Sequence, residues 1–450
     1  MTRWRSAACV VALMALALAL VIGHVQDYDT ISPIDESQHL DYLINAGDGH
    51  LVGLGDLIGQ RTMRAETCHR LDAEFDVKIP PCVTDAGTVL DPATFQESGY
   101  NTAAIHPPTY YVVDGVLARV IAAVVPFAGD DVVTNGRIAG AVWLMAAVGA
   151  MWLLLREVGA GRVLSSSIIA IAITAPTVLF AAATINNDGT ALLCGALLVW
   201  AVLRWERGRL SLGVVLLASA LCAATKVTNL IAVAVVMIYL LLRSDRSPLG
   251  RVRTAGWSEP VRTFVRRERR RLLALGGLIA AAVGVALVWQ VVAMALATVP
   301  GSDIPMTQRY TVDTFPVGPL VGAWRQTIDP LFGPYLAPFM RNDLITLISG
   351  VTAAALVILA VVALARNPRG SRARTLAVAG LTAGLIAGPA IVLFNYLAQR
   401  VYVDIPFRYA LVIVPTLLAA GASVLRSRPA TVATALWAAL SVAAVGMAIL

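Results

Sequence analysis

Four runs of this chain, Ala7–Ile22, Leu272–Ala295, Leu344–Ala365 and Thr375–Phe394, stay apolar long enough to cross roughly 30 Å of hydrocarbon as helices. A segment inside lipid finds no water for its amides and carbonyls, so it must satisfy them internally. With 58% hydrophobic residues, 14% charged residues and a mean hydropathy of +0.74, the chain reads as an all-α, polytopic transmembrane helical bundle. Residues 1–450 form a single membrane domain in this reading. The net charge of +7 does not point to nucleic acid, because the arginines fall in short connectors between apolar runs and serve as topology signals.

Those connectors orient the chain. Arg3 and Arg5 precede the first run. The segment 243–271 holds ten Arg against three acids, and Arg366–Arg374 and Arg426–Arg428 are also basic. The positive-inside rule places them in the cytoplasm. The loops at 25–108, about 296–343 and about 395–407 then face outward, and the first run is read as an uncleaved anchor. Four apolar segments, near 109–128, 137–155, 164–185 and 189–203, lie between the first loop and the basic Arg204–Arg209. An odd number of crossings is required there, so one of the first three must re-enter or fall short. The expected total is about eleven spans.

Chemistry concentrates in the loop 25–108. It carries His39, His50, His69 and His106, with His24 at its edge, and 14 of the chain's 28 Asp and Glu. Gathering proton acceptors on one side of a membrane suits an embedded enzyme better than a channel. Cys68 and Cys82, 14 residues apart in this loop, are placed where a disulfide is permitted. Cys9, Cys194 and Cys222 sit in apolar runs as small hydrophobes.

Within Ser32-Pro33-Ile34-Asp35-Glu36-Ser37-Gln38-His39, the Ser, the Pro and the Asp three residues on predict a helix start. Asp35 and Glu36 then stand four and three residues before His39, on converging faces. The plainer reading makes Asp35 a cap and Glu36 a solvated charge. His106-Pro107-Pro108-Thr109-Tyr110-Tyr111 returns the loop to the membrane, either as an aromatic belt or as a site edge. Asn186-Asn187-Asp188 places a carboxylate at a membrane boundary, where it faces a cavity or solvent. Lys226, Arg400 and Arg408 are cations at the outer boundary, suited to a lipid phosphate or to snorkelling. Asp114 and Arg119 fit an internal pair.

In this order, an acidic pair after the first span, His-Pro-Pro, Arg137, Asn-Asn-Asp, Thr225-Lys226 and Phe407-Arg408-Tyr409, the chain resembles the GT-C superfamily of integral-membrane glycosyltransferases over about residues 8–425. It is similar to the protein O-mannosyltransferase and aminoarabinose-transferase branch, and closer to a bacterial group with Pro-x-Asp-Glu-x-x-His and Pro-Pro-x-Tyr-Tyr motifs. The resemblance implies a GT-C-like bundle that moves a sugar from a polyprenyl-phosphate donor to a cell-envelope glycan, lipid or protein. It implies Asp35 or Glu36 as catalytic base, with His39, His106, Tyr110, Asp188, Lys226, Arg400 and Arg408 binding substrate. Some relatives hold a divalent metal near the acidic pair; His39 could join one here, but no ligand set is legible. Phe407 stands where that motif has a small residue. Two other classes fit the composition: a flippase for lipid-linked saccharides, and a non-catalytic subunit that binds a lipid glycan. Neither an internal repeat nor matched broken helices favour the first.

Overall fold

The computed structural model describes residues 2–70, 79–125, 129–243, 259–331 and 342–449. Most of the basic connector 243–271 and the end of the second outer loop therefore lie outside the described residues. Among the described residues the chain is helical with no strand; two isolated bridges, Leu57 with Tyr100 and Thr311 with Val401, join loops.

Helices α1 (Thr2–Asp27), α2 (Glu36–Gly47), α3 (Gln60–His69) and α4 (Thr109–Val124) form the first quarter of the fold. A core group follows: α5 (Val132–Glu157), α6 (Arg162–Ile173), α7 (Pro176–Ala183), α8 (Ala191–Glu206), α9 (Leu212–Thr225) and α10 (Leu230–Leu242). The remainder comprises α11 (Glu259–Leu296), α12 (Pro305–Tyr310), α13 (Val317–Ile328), α14 (Asp343–Arg366), α15 (Arg372–Gln399), α16 (Val414–Gly421) and α17 (Arg428–Ile449). Seven helices are long and apolar enough to cross a membrane, and an eighth crossing results if α6 and α7, bent by 67° at Pro176, count as one. The bend follows from proline, which removes a backbone donor and clashes with the preceding turn. Three further apolar helices are shorter than a full crossing: Leu212–Thr225, Val227–Leu242 and Phe407–Gly421. The fold is compatible with that of a multi-pass membrane protein.

Contacts sort the connectors onto two faces. On one, Glu157 pairs with Arg204 at 3.3 Å and with Arg207 at 2.5 Å, and Glu206 pairs with Arg243 and Arg372, both at 2.8 Å. Asn367 bonds Ser423 and Arg426 reaches the Val158 carbonyl on the same face. The loop 25–108 lies on the other face. The α4 helix begins and ends there: it follows His106, and soon after its end Asp131 is bonded to His69 of the loop at 3.0 Å. Its Val112, Val116, Val120 and Val124 are exposed while Tyr111, Asp114, Gly115 and Ala118 are buried, so one apolar stripe of α4 is left uncovered by the rest of the fold. Before Arg204, α5, α8 and the bent pair α6 with α7 have the length and apolarity of crossings, whereas α4 is shorter.

Two close approaches fix the packing around these helices. A Cβ on Gly195 of α8 would lie 2.0 Å from the Val412 carbonyl oxygen, so only glycine lets the turn Phe407–Ile413 press against α8. On α15 a Cβ at Gly388 would lie 2.1 Å from the Ala323 carbonyl oxygen of α13. There Thr327 donates its hydroxyl to the Gly384 carbonyl at 2.6 Å and accepts the Gly388 amide at 3.2 Å, next to Pro389. Small residues of this kind let helix backbones meet in lipid, where the hydrophobic effect does not drive association.

Candidate functional site

Helix α2 starts at Glu36, later than Ser32-Pro33 suggests, and Asp35 precedes it with φ of 59° and no capping bond from its side chain. The cause is the carboxylate of Glu36. It turns back to accept the Ser32 amide at 2.7 Å and the Ile185 amide at 2.8 Å, and it takes a bidentate pair from Arg137 Nε at 2.8 Å and Nη2 at 2.7 Å. Arg137 also bonds the Tyr28 and Thr30 carbonyls. Both side chains are 1% exposed. All four donors to Glu36 are in place, so this residue is neither solvated nor free to take a proton from a substrate. It fastens the loop to α5 and to the end of α7.

Asp35 is different. It is half-buried, its side chain makes no hydrogen bond among the described residues, and its left-handed backbone turns it away from the Glu36 clasp. Left-handed backbone in a non-glycine residue is unfavourable and persists only where its surroundings enforce it. Asp35 lies in the field of Arg408, Lys226, Asp188 and Arg309; burial raises its carboxyl above the ordinary 3.8, against the pull of the cations.

The cations belong to a buried cluster. Asp188 Oδ1 accepts Lys226 Nζ at 2.6 Å and Oδ2 accepts Arg408 Nε at 2.6 Å. The Tyr409 ring lies 4.7 Å from Lys226 and 5.7 Å from Arg408, within cation–π range. One carboxylate faces two cations, so the cluster alone carries a surplus positive charge that Asp35 offsets when ionised. Local sequence explains the placement. Asn186 accepts the Asp188 amide at 2.9 Å and starts the short turn Asn187–Thr190. Lys226 occupies the break between α9 and α10, with backbone φ of −162°. Below it Asn229 bonds Thr190 at 3.0 Å and Thr225 at 3.1 Å.

His39 lies one turn along α2 from Asp35 and its ring bonds the Tyr111 hydroxyl at 2.6 Å. His106 stacks on His39, centroids 5.5 Å apart. Burial holds His39 well below its ordinary 6.5 and pushes His106 down to about 3, so both rings are neutral.

Of the residues singled out in the sequence, Asp35, His39, His106, Asp188, Lys226 and Arg408 come together. Glu36 adjoins them but is fully engaged. Tyr110 does not join: it is buried at 1% exposure and packs on the Trp143 ring, because one residue along a helix rotates a side chain by about 100°. Its neighbour Tyr111 takes the site-facing position. Arg400 also stands apart, ending α15 with φ of 57° and bonding Tyr396. Asp114 and Arg119 do not pair: Asp114 accepts Trp143 Nε1 at 2.5 Å, and Arg119 pairs with Asp48. Sequence reading quoted Arg137, Tyr111 and Tyr409 as members of motifs without giving them these partners, and it missed Arg309. Cys68 and Cys82 form a disulfide.

A divalent metal does not fit this constellation. Asp188 is held by two cations and Glu36 by Arg137, which leaves one carboxylate beside Lys226 and Arg408, whose charges repel a metal ion. No group of three or more His, Cys, Asp or Glu is arranged to hold one among the described residues. An apolar cavity of about 260 Å³ lies elsewhere, lined by residues of α6, α14, α16 and α17, among them Ile168, Leu356, Leu417 and Trp437. No known protein family, curated protein or solved structure matches this chain.

Proposed function

We propose that this protein is a glycosyltransferase of GT-C-like architecture that moves a sugar from a polyprenyl-phosphate donor to a cell-envelope acceptor on the outer face of the membrane. The observation that carries this reading is the half-buried, unbonded Asp35 facing the Asp188–Lys226–Arg408 cluster. Asp35 is the general base that takes the proton of the acceptor hydroxyl, an effect of about 10²–10⁴-fold. As the bond to the donor breaks, charge gathers on the departing lipid phosphate. Arg408 engages Asp188 through Nε, which leaves its terminal nitrogens for that phosphate, with Lys226 alongside. The apolar cavity between α6 and α17 has the character of a place for a lipid chain, not for a sugar. Membrane lipids are the remaining partner.

The same reading fixes a topology. The Arg-rich face is cytoplasmic, α4 lies along the outer surface, and the three shorter apolar helices are crossings, which gives eleven spans with the N-terminus inside. The test is transfer of radiolabelled sugar from polyprenyl-phosphate donors to native membrane acceptors, comparing wild type, Asp35→Asn and Arg408→Gln at equal abundance. Transfer by wild type that is lost in Asp35→Asn supports the reading. Undiminished transfer in that variant removes Asp35 from the chemistry.

A further inference from the structure

Three contacts line up four aromatic rings behind the site. Tyr42 stacks on Tyr111 with centroids 4.0 Å apart and planes 11° from parallel; Tyr111 stacks on His39 at 5.7 Å and 17°; His39 stacks on His106 at 5.5 Å and 8°. The column stands between the buried Tyr42 and the half-buried His106. Its one hydrogen bond between side chains among the described residues is the 2.6 Å contact of the Tyr111 hydroxyl with His39 Nδ1.

That bond can run in two directions, with different consequences for the site. With the imidazole as donor from Nδ1, the phenolic hydrogen of Tyr111 needs another acceptor. Tyr111 is 0% exposed, and its hydroxyl has no second hydrogen bond among the described residues. A buried donor left without an acceptor is unfavourable. With the phenol as donor, its hydrogen and the Nδ1 lone pair are satisfied together, and the ring proton of a neutral imidazole then sits on Nε2. A doubly protonated ring is opposed by burial and by the nearby Lys226 and Arg408 charges.

We infer that Tyr111 is a positioning residue that fixes His39 in its Nε2–H tautomer, so that His39 meets the ligand as an uncharged donor to an oxygen atom and not as a base. This rests on the reading of Asp35 as the base one helical turn earlier. The two side chains then divide the work. Asp35 accepts a hydroxyl proton, and His39 donates a hydrogen bond without adding a third positive charge to the cluster. The assignment explains why the second tyrosine of the Tyr110-Tyr111 pair, not the first, faces the site.

The test uses the full chain in lipid nanodiscs, labelled with ¹⁵N at histidine. The His39 signals are identified by their absence in His39→Gln. In wild type we expect Nδ1 to show the shift of a bare, hydrogen-bonded nitrogen and Nε2 that of a protonated one; in Tyr111→Phe the two tautomers mix. Protonated Nδ1 in wild type overturns the inference, as does an unchanged pattern in Tyr111→Phe. Both outcomes are read without any transfer assay, so they stand apart from the failure of the glycosyltransferase reading. Where transfer is measured, His39→Gln, whose amide places an N–H near the Nε2 position, is expected to exceed His39→Asn about tenfold. Equal transfer by the two also overturns it.

Discussion

Replacing Glu36 by Gln separates the two neighbouring carboxylates more sharply than any other change. Four donors converge on its two oxygens: Arg137 Nε and the Ile185 amide on Oε1, Arg137 Nη2 and the Ser32 amide on Oε2. An amide turns one oxygen into an NH₂ group, so whichever way it is oriented two buried donors lose their acceptor. At about 1–3 kcal/mol for each such group the loss is about 2–6 kcal/mol. Treating the change as breaking a buried ion pair gives about 3–5 kcal/mol, in agreement. Arg137 keeps the Tyr28 and Thr30 carbonyls, which favours the lower part of the range. The assay is thermal unfolding of purified protein in one fixed detergent, alongside limited proteolysis of the loop 25–108. Glu36→Gln should melt several degrees lower and be cleaved faster in the loop. Asp35→Asn should do neither, because Asp35 makes no side-chain bond and Asn tolerates left-handed backbone nearly as well. Equal melting of wild type and Glu36→Gln would refute the clasp.

Three other outcomes follow from the same structure. As the proposed base, Asp35 would act only when ionised, and burial raises its carboxyl from the ordinary 3.8; the acid limb of a transfer–pH profile should therefore lie higher than for an ordinary aspartate and vanish in Asp35→Asn. Glu66 is 0% exposed and burial pushes it up to about 7 from 4.5. The folded chain then holds a proton that the unfolded chain releases, so the contribution of Glu66 to stability is fully present below about pH 4.5 and declines as pH rises to about 7. The decline due to this group is on the order of 3 kcal/mol, and melting curves of Glu66→Gln across that window should have a smaller slope than wild type. Gly195→Ala puts a methyl group into the Val412 carbonyl, displacing the turn that carries Arg408 from α8. Overpacking of this kind costs about 1–3 kcal/mol, and transfer should fall further in this variant than in Gly276→Ala, where nothing lies within 4 Å.

The membrane class was legible because long apolar runs admit few other folds, and the need for an odd number of crossings could be stated before any helix was placed. Which segment stays at the surface was not legible. Thr109–Val124 is apolar enough to pass for a span, and the ties that bind it to the first loop, Arg119 with Asp48 and, beyond its end, Asp131 with His69, join residues 62 to 71 positions apart. The site was partly legible. Asp188, Lys226 and Arg408 are charged residues at apolar boundaries, where isolation in lipid is unfavourable and so marks them. Their mutual pairing spans 38 and 220 residues of sequence, a separation that periodicity does not reach. Asp35 and Glu36 were indistinguishable as a pair, because the difference lies in Arg137, 101 residues away. Tyr110 and Tyr111 differ by a helical rotation whose phase depends on what α4 packs against.

The join between α13 and α15 has a mechanical consequence. Thr327 and the glycines of α15 weld the loop segment 297–331 to that helix, and a further seam forms where Val312 bonds the Arg400 carbonyl at 2.8 Å and Tyr402 bonds the Tyr310 carbonyl at 2.9 Å. At its opposite end the same loop is held to the first by the Thr298 amide on the Leu54 carbonyl at 2.8 Å and by the pair of Arg309, 55% exposed, with Glu97. Glu97 itself is 12% exposed, so only the Arg309 side of the pair is open to solvent; ion pairs between exposed groups hold with roughly 0–1 kcal/mol. The second loop is thus hinged on α15 and latched weakly over the first. Under the proposed function, a bulky acceptor would have to part it at Glu97, which would make the latch, rather than the helices, the element that sets how large a substrate reaches Asp35.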